Sequence, residues 1–186
     1  MESDIDMIDA GFKIDITEDN MTKMIGTLPG PPDTPYFGGL YKVEITIPDD
    51  YPFAPPEVDF VSKIWHPNVS SMTGAICLDI LTPDSWSAAM SLRTVLLSIQ
   101  ALLASPEPND PLDFVVAGQF MYYHEVYIKT AKHWASVYAS SQERVHEYED
   151  MVEQVEKITG MGEDRARHVL SCCGWDLKVA VGNICS

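Results

Sequence analysis

The sequence predicts an α+β protein: a four-stranded antiparallel meander sheet with packed helices, followed by a small three-helix bundle. Up to residue 61, apolar and polar residues alternate, as in strands that bury one face. Between residues 90 and 138 the apolar residues recur at spacings of three and four, as in helices. Strands that precede helices in this way are typical of domains in which helices pack on a sheet.

Four segments carry the strand pattern. They are residues 12–16, a second extended run that ends at Leu28, residues 41–47 and residues 58–61. Proline-rich stretches separate the second, third and fourth of them, and such stretches are loops rather than parts of a ladder. The order strand, turn, strand, loop, strand, loop, strand predicts a meander.

Six helical segments follow. They cover residues 90–104, about 112–121, 125–138, 148–159, 163–172 and 176–184. Pro106 ends the first, and glycines separate the last three, which are short. Asp176 is a suitable N-cap for the final helix. The last three segments therefore predict a separate small bundle behind the main domain.

Acidic residues dominate the charge of the chain. There are 28 acids against 12 bases, and the net charge is −16. Nucleic-acid affinity comes from clustered Lys and Arg, so this composition argues against nucleic acid, and equally against anionic membranes. A basic protein partner would be attracted. The first ten residues contain four acids and no base, which makes the N-terminus the densest acidic patch.

Four cysteines are present, at positions 77, 172, 173 and 185. Adjacent cysteines make a poor disulfide, and the chain shows no signal peptide, so reduced thiols in the cytoplasm, the nucleus or both are expected. A zinc site is not expected, because no C-x-x-C pair accompanies a second ligand pair. Cys77 is the only cysteine in the main body.

The segment around Cys77 carries the chemistry. A lone cysteine between apolar neighbours is often an inert core thiol. Here, however, Gly74 and the preceding His66-Pro67-Asn68 place Cys77 on an irregular, accessible segment. The Asn68 amide can donate to a developing oxyanion. The stiff acidic loop 106–111 can bring a carboxylate to the same place.

These motifs, in this order and spacing, resemble those of the ubiquitin-conjugating enzymes. The matching residues are Gly30-Pro31-Pro32-Asp33-Thr34-Pro35, Tyr51-Pro52-Phe53, Trp65-His66-Pro67-Asn68, Gly74 with Ile76-Cys77-Leu78-Asp79, Trp86-Ser87 and Pro108-Asn109-Asp110-Pro111. The resemblance implies a ubiquitin-conjugating domain over 1–141. Residues 146–186 resemble a ubiquitin-associated domain, with Met161-Gly162 at its first turn. That combination is similar to the subtype that builds ubiquitin chains.

The resemblance also implies roles. Cys77 would accept ubiquitin as a thioester from an activating enzyme and pass it to a lysine or to a ligase. No cofactor is implied, because ATP is used by the upstream enzyme. Asn68 would donate to the oxyanion, and Asp110 would orient the attacking amine and favour its deprotonation. The implied partners are ubiquitin, the activating enzyme, a ligase and protein substrates.

Other matching positions are expected to be structural or to bind partners. His66, Pro67 and Trp86 would hold the loops around the cleft. Phe53 and Ala88 match loop positions that the family offers to ligases, while Met161 and Gly162 match the ubiquitin-gripping turn of the terminal domain.

Three departures from the family leave alternatives open. The acidic first ten residues replace a basic helix that activating enzymes contact, so the helix is expected to be short or absent and inverted in charge. Glu163 stands where an aromatic residue grips ubiquitin, and Ile184-Cys185 replaces a pair of leucines. Weak ubiquitin binding by the bundle is therefore expected. The alternatives are a catalytically weak partner or regulator of an active conjugating enzyme, and a cysteine hydrolase that pairs Cys77 with His66.

Overall fold

A computed structural model describes residues 11–16, 22–142 and 145–185. Its sheet has the strand order β1-β2-β3-β4, and every neighbouring pair is antiparallel. The strands are β1 (Lys13–Ile16), β2 (Lys23–Pro29), β3 (Leu40–Thr46) and β4 (Glu57–Phe60). The predicted meander is confirmed, with strand ends within two residues of those expected. The prediction for the first ten residues lies outside the described residues.

The described residues form six α-helices. They are α1 (Leu92–Ala104), α2 (Phe114–Tyr122), α3 (His124–Tyr138), α4 (His146–Thr159), α5 (Glu163–Cys172) and α6 (Leu177–Cys185). The six predicted helices are confirmed. The side chain of Asp176 accepts hydrogen bonds from the backbone N–H groups of Lys178 and Val179, as an N-cap does. A short 3₁₀ turn at Asp79–Leu81, which the sequence did not predict, follows Cys77.

The main core lies between one face of the sheet and the helices that follow it. Val43 and Ile45 of β3 are fully buried, as are Leu96 and Ile99 of α1. Their spacing of two in the strand and three in the helix places each pair on a single face. This packing fixes the sheet and α1 as the scaffold on which the cleft loops are carried.

A second core lies within α4–α6. Its buried members are Tyr148, Val152, Val155, Ala166, Leu170, Trp175 and Ala180. The indole of Trp175 stacks on the ring of Tyr148, with 3.7 Å between ring centroids and 6° between ring planes. Helices α4–α6, here called the C-terminal bundle, thus possess a hydrophobic core of their own.

The C-terminal bundle docks against α2 and α3 of the main domain. Ser171 of α5 is fully buried there: its hydroxyl accepts from Trp134 Nε1–H at 2.9 Å, and its carbonyl accepts from the Gln119 side chain at 2.6 Å. The Trp175 Nε1–H donates to the hydroxyl of Thr130 at 2.9 Å.

Among the described helices, none has the length and apolar content needed to cross a membrane.

Candidate active site

Cys77 presents its thiol at the surface on an irregular segment, two residues before the 3₁₀ turn. Its backbone N–H donates to the carbonyl of Asn68 at 2.9 Å, which ties the segment to the loop of the His66-Pro67-Asn68 motif. The thiol is therefore reachable while its backbone is held.

Gly74 makes the approach of this segment to the sheet possible. Its φ is +83°, and a side chain at this position would place Cβ 2.1 Å from the carbonyl oxygen of Phe60. The Phe60 N–H donates to the Gly74 carbonyl at 2.8 Å. Only glycine accepts both the left-handed φ and the close contact. The segment that leads to Cys77 therefore crosses the end of β4 at backbone contact.

His66 is fully buried, and both of its ring nitrogens are occupied. Nδ1 accepts from the backbone N–H of Asn68 at 3.0 Å, and Nε2 donates to the carbonyl of Leu102 at 3.1 Å. Because a carbonyl only accepts and an N–H only donates, these partners fix the neutral Nε2–H tautomer. Burial lowers the pKa of His66 to about 3, against the opposing effect of the Leu102 carbonyl. Neither nitrogen is left to activate Cys77, and the hydrolase alternative therefore lacks its base.

Asn68, 2% exposed, binds the acidic loop through its side-chain amide. Its NH₂ group donates to the carbonyls of Glu107 and Asp110, each at 3.0 Å, and its Oδ1 accepts from the N–H of Glu107 at 2.8 Å. An amide NH₂ has two hydrogens, and both are used. Donation to an oxyanion would require one of these bonds to be exchanged, so that role stays a prediction.

Asp110 is exposed at the loop end that Asn68 holds. Its carbonyl accepts from Asn68, whereas its carboxylate makes no hydrogen bond to any other described residue. The buried Pro67 secures the continuation of this loop, since its carbonyl accepts from the N–H groups of Leu112 and Asp113, both at 2.9 Å. The structure thus fixes the backbone around Asp110 and leaves the carboxylate open to solvent.

The rings of Trp86 and Tyr51 contact each other. The Trp86 Nε1–H donates to the carbonyl of Pro52 at 2.7 Å, and the two rings lie 6.3 Å apart. Phe53, in the loop that this bond secures, is 85% exposed. Ala88 is exposed as well. The bulky apolar side chain of Phe53 is open to a partner.

Asp113 and Ser71 are site neighbours that the sequence reasoning did not identify. Asp113 caps α2: its Oδ1 accepts from the N–H groups of Val115 and Val116, both at 3.2 Å. Its Oδ2 accepts from the Ser71 hydroxyl at 2.6 Å. An aspartate directly before an apolar helical run is a cap signal, so Asp113 was within reach of the sequence. The pairing with Ser71 spans 42 residues and left no local pattern.

The predicted ubiquitin-gripping turn begins α5. Met161 is half-buried against the core of the C-terminal bundle, and Gly162 is exposed as the N-cap of α5. Glu163 pairs with the guanidinium of Arg167, which is 1% exposed. The Arg167 Nε–H donates to Nε2 of His133 in α3 at 3.1 Å. The residue next to this turn is thus part of a charged cluster at the contact with the main domain.

Within the described residues, no group of three or more His, Cys, Asp or Glu side chains is arranged to hold a metal ion.

Comparison with known proteins defines the class to which this fold and cleft belong. A family model described as "Ubiquitin-conjugating enzyme" matches residues 3–135. A ubiquitin-conjugating enzyme E2 K from Homo sapiens is 52% identical over 171 residues, which cover 91% of this chain and 84% of the relative. A ubiquitin-conjugating enzyme E2-22 kDa from Drosophila melanogaster is 48% identical over 183 residues, covering 97% and 90%.

A solved structure agrees. The E2 domain of a Toxoplasma gondii ubiquitin conjugating enzyme superposes with a TM-score of 0.69 at 46% identity, over 74% of this chain and 94% of that chain. This chain belongs to the ubiquitin-conjugating enzymes, transferases that carry ubiquitin as a thioester. Ubiquitin, an activating enzyme and ligases are the partners that this membership implies.

Proposed function

We propose that Cys77 is the residue that carries ubiquitin, and that Asp110 and Asn68 serve the transfer from it. The observation that carries the proposal is the exposed Cys77 thiol on a segment bonded to Asn68, whose amide also holds the Asp110 loop. Asn68 therefore binds both the backbone of the segment that carries the Cys77 thiol and the backbone of the loop that carries the Asp110 carboxylate. No cofactor of this chain enters the proposed reaction, since ATP is consumed by the activating enzyme.

The proposed reaction has two acyl transfers. In the first, the Cys77 sulfur attacks the carbonyl carbon of the thioester that joins ubiquitin to the activating enzyme. A new C–S bond forms to Cys77, the C–S bond to the activating enzyme breaks, and the thiol of that enzyme leaves. In the second, a lysine amine attacks the Cys77 thioester, a C–N bond forms, and sulfur leaves. Only a neutral amine has the lone pair required, so a carboxylate that accepts the ammonium proton assists.

Asn68 serves this second step by holding the loop that carries Asp110. Its three hydrogen bonds set the backbone of residues 107 and 110. Preorganised positioning of a catalytic group lowers the barrier because the entropy of orientation has already been lost.

The C-terminal bundle is proposed to be a ubiquitin-associated domain, and the chain to act in the cytoplasm, the nucleus or both. The bundle's own core and the Met161-Gly162 turn support the first proposal. Phe53, 85% exposed, and Ala88 are the proposed ligase contacts. Building of ubiquitin chains on protein substrates is the corresponding activity.

The alternative is a catalytically weak partner of an active conjugating enzyme. The four acids and absent bases of the first ten residues favour it, because the family presents a basic helix to the activating enzyme. The two hypotheses differ in whether the chain can be charged.

The deciding experiment incubates the chain with activating enzyme, ubiquitin and ATP, and separates the products on a non-reducing gel. We expect an adduct that thiol reductant removes. Cys77→Ser should give an oxygen ester that reductant leaves intact, and Cys77→Ala should give no adduct. Cys173→Ser, at a half-buried cysteine of the bundle, is the control and should be charged normally. Absence of any wild-type adduct would favour the regulator.

A further inference from the structure

We propose that His168, in α5 of the C-terminal bundle, is a positioning residue for ubiquitin transfer, acting on the Asp110 loop through Ser71 and Asp113. The inference rests on the proposed function, in which that loop carries the group that assists the attacking amine. It gives the C-terminal bundle a part in the chemistry that does not depend on binding ubiquitin.

A hydrogen-bond chain joins His168 to Asp113 through Ser71, and its donors and acceptors fix its direction. The Asp113 carboxylate accepts four hydrogen bonds, from the backbone N–H groups of Ser71, Val115 and Val116 and from the Ser71 hydroxyl. A carboxylate of this kind only accepts, so the single Ser71 hydroxyl hydrogen points at Asp113. His168 Nε2 lies 3.2 Å from the same hydroxyl oxygen. The Ser71 oxygen must therefore accept from His168, which requires the Nε2–H tautomer.

This hydrogen-bond chain is connected to the loop that carries Asp110. The N–H groups of Leu112 and Asp113 donate to the Pro67 carbonyl at 2.9 Å, while Asn68 binds residues 107 and 110. The loop is thus held on one side by Asn68 and on the other by Pro67 and Ser71. Asp110 belongs to the first attachment and lies two residues before the second, which begins at Leu112.

The imidazole of His168 is held in place by its neighbours. The His168 ring packs against the indoles of Trp65 and Trp134, which lie 5.0 Å from each other and 6.2 Å each from the imidazole, centroid to centroid. The sulfur of Cys172 lies 3.8 Å from Nδ1 and 3.9 Å from Nε2. Burial lowers the pKa of His168; the Asp113 carboxylate opposes this effect and Lys63 reinforces it. A ring packed against this indole pair keeps one donor aimed at Ser71. Hydrogen bonds that run in one direction along a chain also polarise one another.

The test separates loading of Cys77 from discharge. His168→Phe keeps an aromatic ring against the two indoles and removes the donor, whereas His168→Gln supplies an amide N–H in its place. With ubiquitin preloaded on Cys77, discharge to free lysine should slow about fivefold in His168→Phe, the rate equivalent of one neutral hydrogen bond. Charging by the activating enzyme should continue, and His168→Gln should restore most of the discharge rate.

Two further variants make the test specific. Ser71→Ala should slow discharge as His168→Phe does, and the double variant should lose no more than either single variant, because both remove one chain. Asp164→Asn is the matched control. Asp164 also joins the C-terminal bundle to the main domain, through Lys63 at 2.7 Å and the hydroxyl of Tyr138 at 2.7 Å, but it does not touch Ser71. Its discharge rate should equal that of the wild type.

Each outcome has a distinct meaning. Failure of the wild type to charge would contradict the proposed function itself. Normal charging with normal discharge in His168→Phe would overturn the inference, as would equal slowing in the Phe and Gln variants, which would show a packing effect alone. Independently of activity, ¹⁵N NMR of the full chain should find His168 protonated on Nε2. Protonation on Nδ1 alone would also overturn the inference.

Discussion

Two buried histidines show how differently the cleft and the bundle contact are held. His66, under the cleft, has both ring nitrogens on backbone groups, the N–H of Asn68 and the carbonyl of Leu102. His133, under the C-terminal bundle, accepts from the side chain of Arg167, and its Nδ1 has no hydrogen-bond partner. The nearest carboxylate oxygen to that nitrogen, on Glu149, is 3.9 Å away.

The difference is one of partner type. Around the cleft, Asn68 and Pro67 also bind backbone groups, so their geometry follows from the path of the chain. At the bundle contact, a single guanidinium on Arg167 collects the carboxylates of Glu149, Glu163 and Asp164. Backbone partners persist whatever the neighbouring side chains are, whereas side-chain partners disappear with one substitution. We therefore expect variants of Asn68 and its loop to change the reaction, and variants of the Arg167 cluster to change stability.

The largest expected effect is that of Asn68→Ala. Discharge of ubiquitin to lysine should fall about 10²-fold, because the three hydrogen bonds that position the Asp110 loop are lost. Loss of the three bonds should also raise amide hydrogen exchange at Glu107 and Asp110. Discharge kinetics and exchange measured on the same sample check both effects.

Asn109→Ala removes an exposed amide from the same loop and should change neither measurement. If discharge falls in Asn68→Ala while exchange stays at the wild-type rate, Asn68 acts on the oxyanion rather than on the loop.

Arg167→Met should give the next largest effect, on stability rather than on chemistry. It leaves Nε2 of the buried His133 without a donor, at a cost of about 1–3 kcal/mol in the free energy of unfolding. Denaturant titration monitored by circular dichroism measures the loss, and single-turnover discharge should change little. Arg165→Met, at an exposed arginine of the same helix, should stay within about 0.5 kcal/mol of the wild type. Equal stabilities of the two variants would contradict the importance of the buried cluster.

Acidification probes the same histidines with a smaller effect. Burial, reinforced by Arg167, lowers the pKa of His133 to about 4, against about 6.5 in an unfolded chain. Between pH 6.5 and 4, the imidazole therefore binds a proton in the unfolded chain but not in the folded protein. The free energy of unfolding falls as the pH falls. The slope is about 1.4 kcal/mol per pH unit for one such histidine. His66, with its pKa at about 3, adds in the same direction.

His133→Gln should reduce this slope by one proton's contribution, because Gln retains an acceptor for Arg167 and does not titrate. Free energies of unfolding measured at pH 7, 6, 5 and 4 give the slope. Gln154→Ala, at an exposed residue of the same bundle that does not titrate, is the control and should keep the wild-type slope. An unaltered slope in His133→Gln would show that His133 binds its proton equally well in the folded and the unfolded protein.

The fold was predictable because it follows local patterns, while the bundle contact was not. The alternation in β3 and the three-and-four spacing in α1 are local, as are the prolines that end them. The positions of Cys77 and Asn68 followed from ordered motifs. The engagement of both Asn68 hydrogens did not, because Glu107 lies 39 residues away. His168 is adjacent to Arg167 in an ordinary polar helix, and only folding brings it to Ser71.

The smallest expected effect concerns the face of the C-terminal bundle that is predicted to bind ubiquitin. Restoring an aromatic side chain by Glu163→Phe should strengthen binding of ubiquitin to the full chain by about 1 kcal/mol, roughly fivefold, as expected for one aromatic contact. The ion pair with Arg167 is lost, but the carboxylates of Glu149 and Asp164 remain beside the guanidinium. NMR titration of labelled ubiquitin measures the change, with Glu147→Phe on α4 as a control for added surface aromatics. No gain in Glu163→Phe would mean that docking on α2 and α3, rather than the charge at position 163, keeps the bundle from ubiquitin; the bundle contact would then govern binding as well as stability.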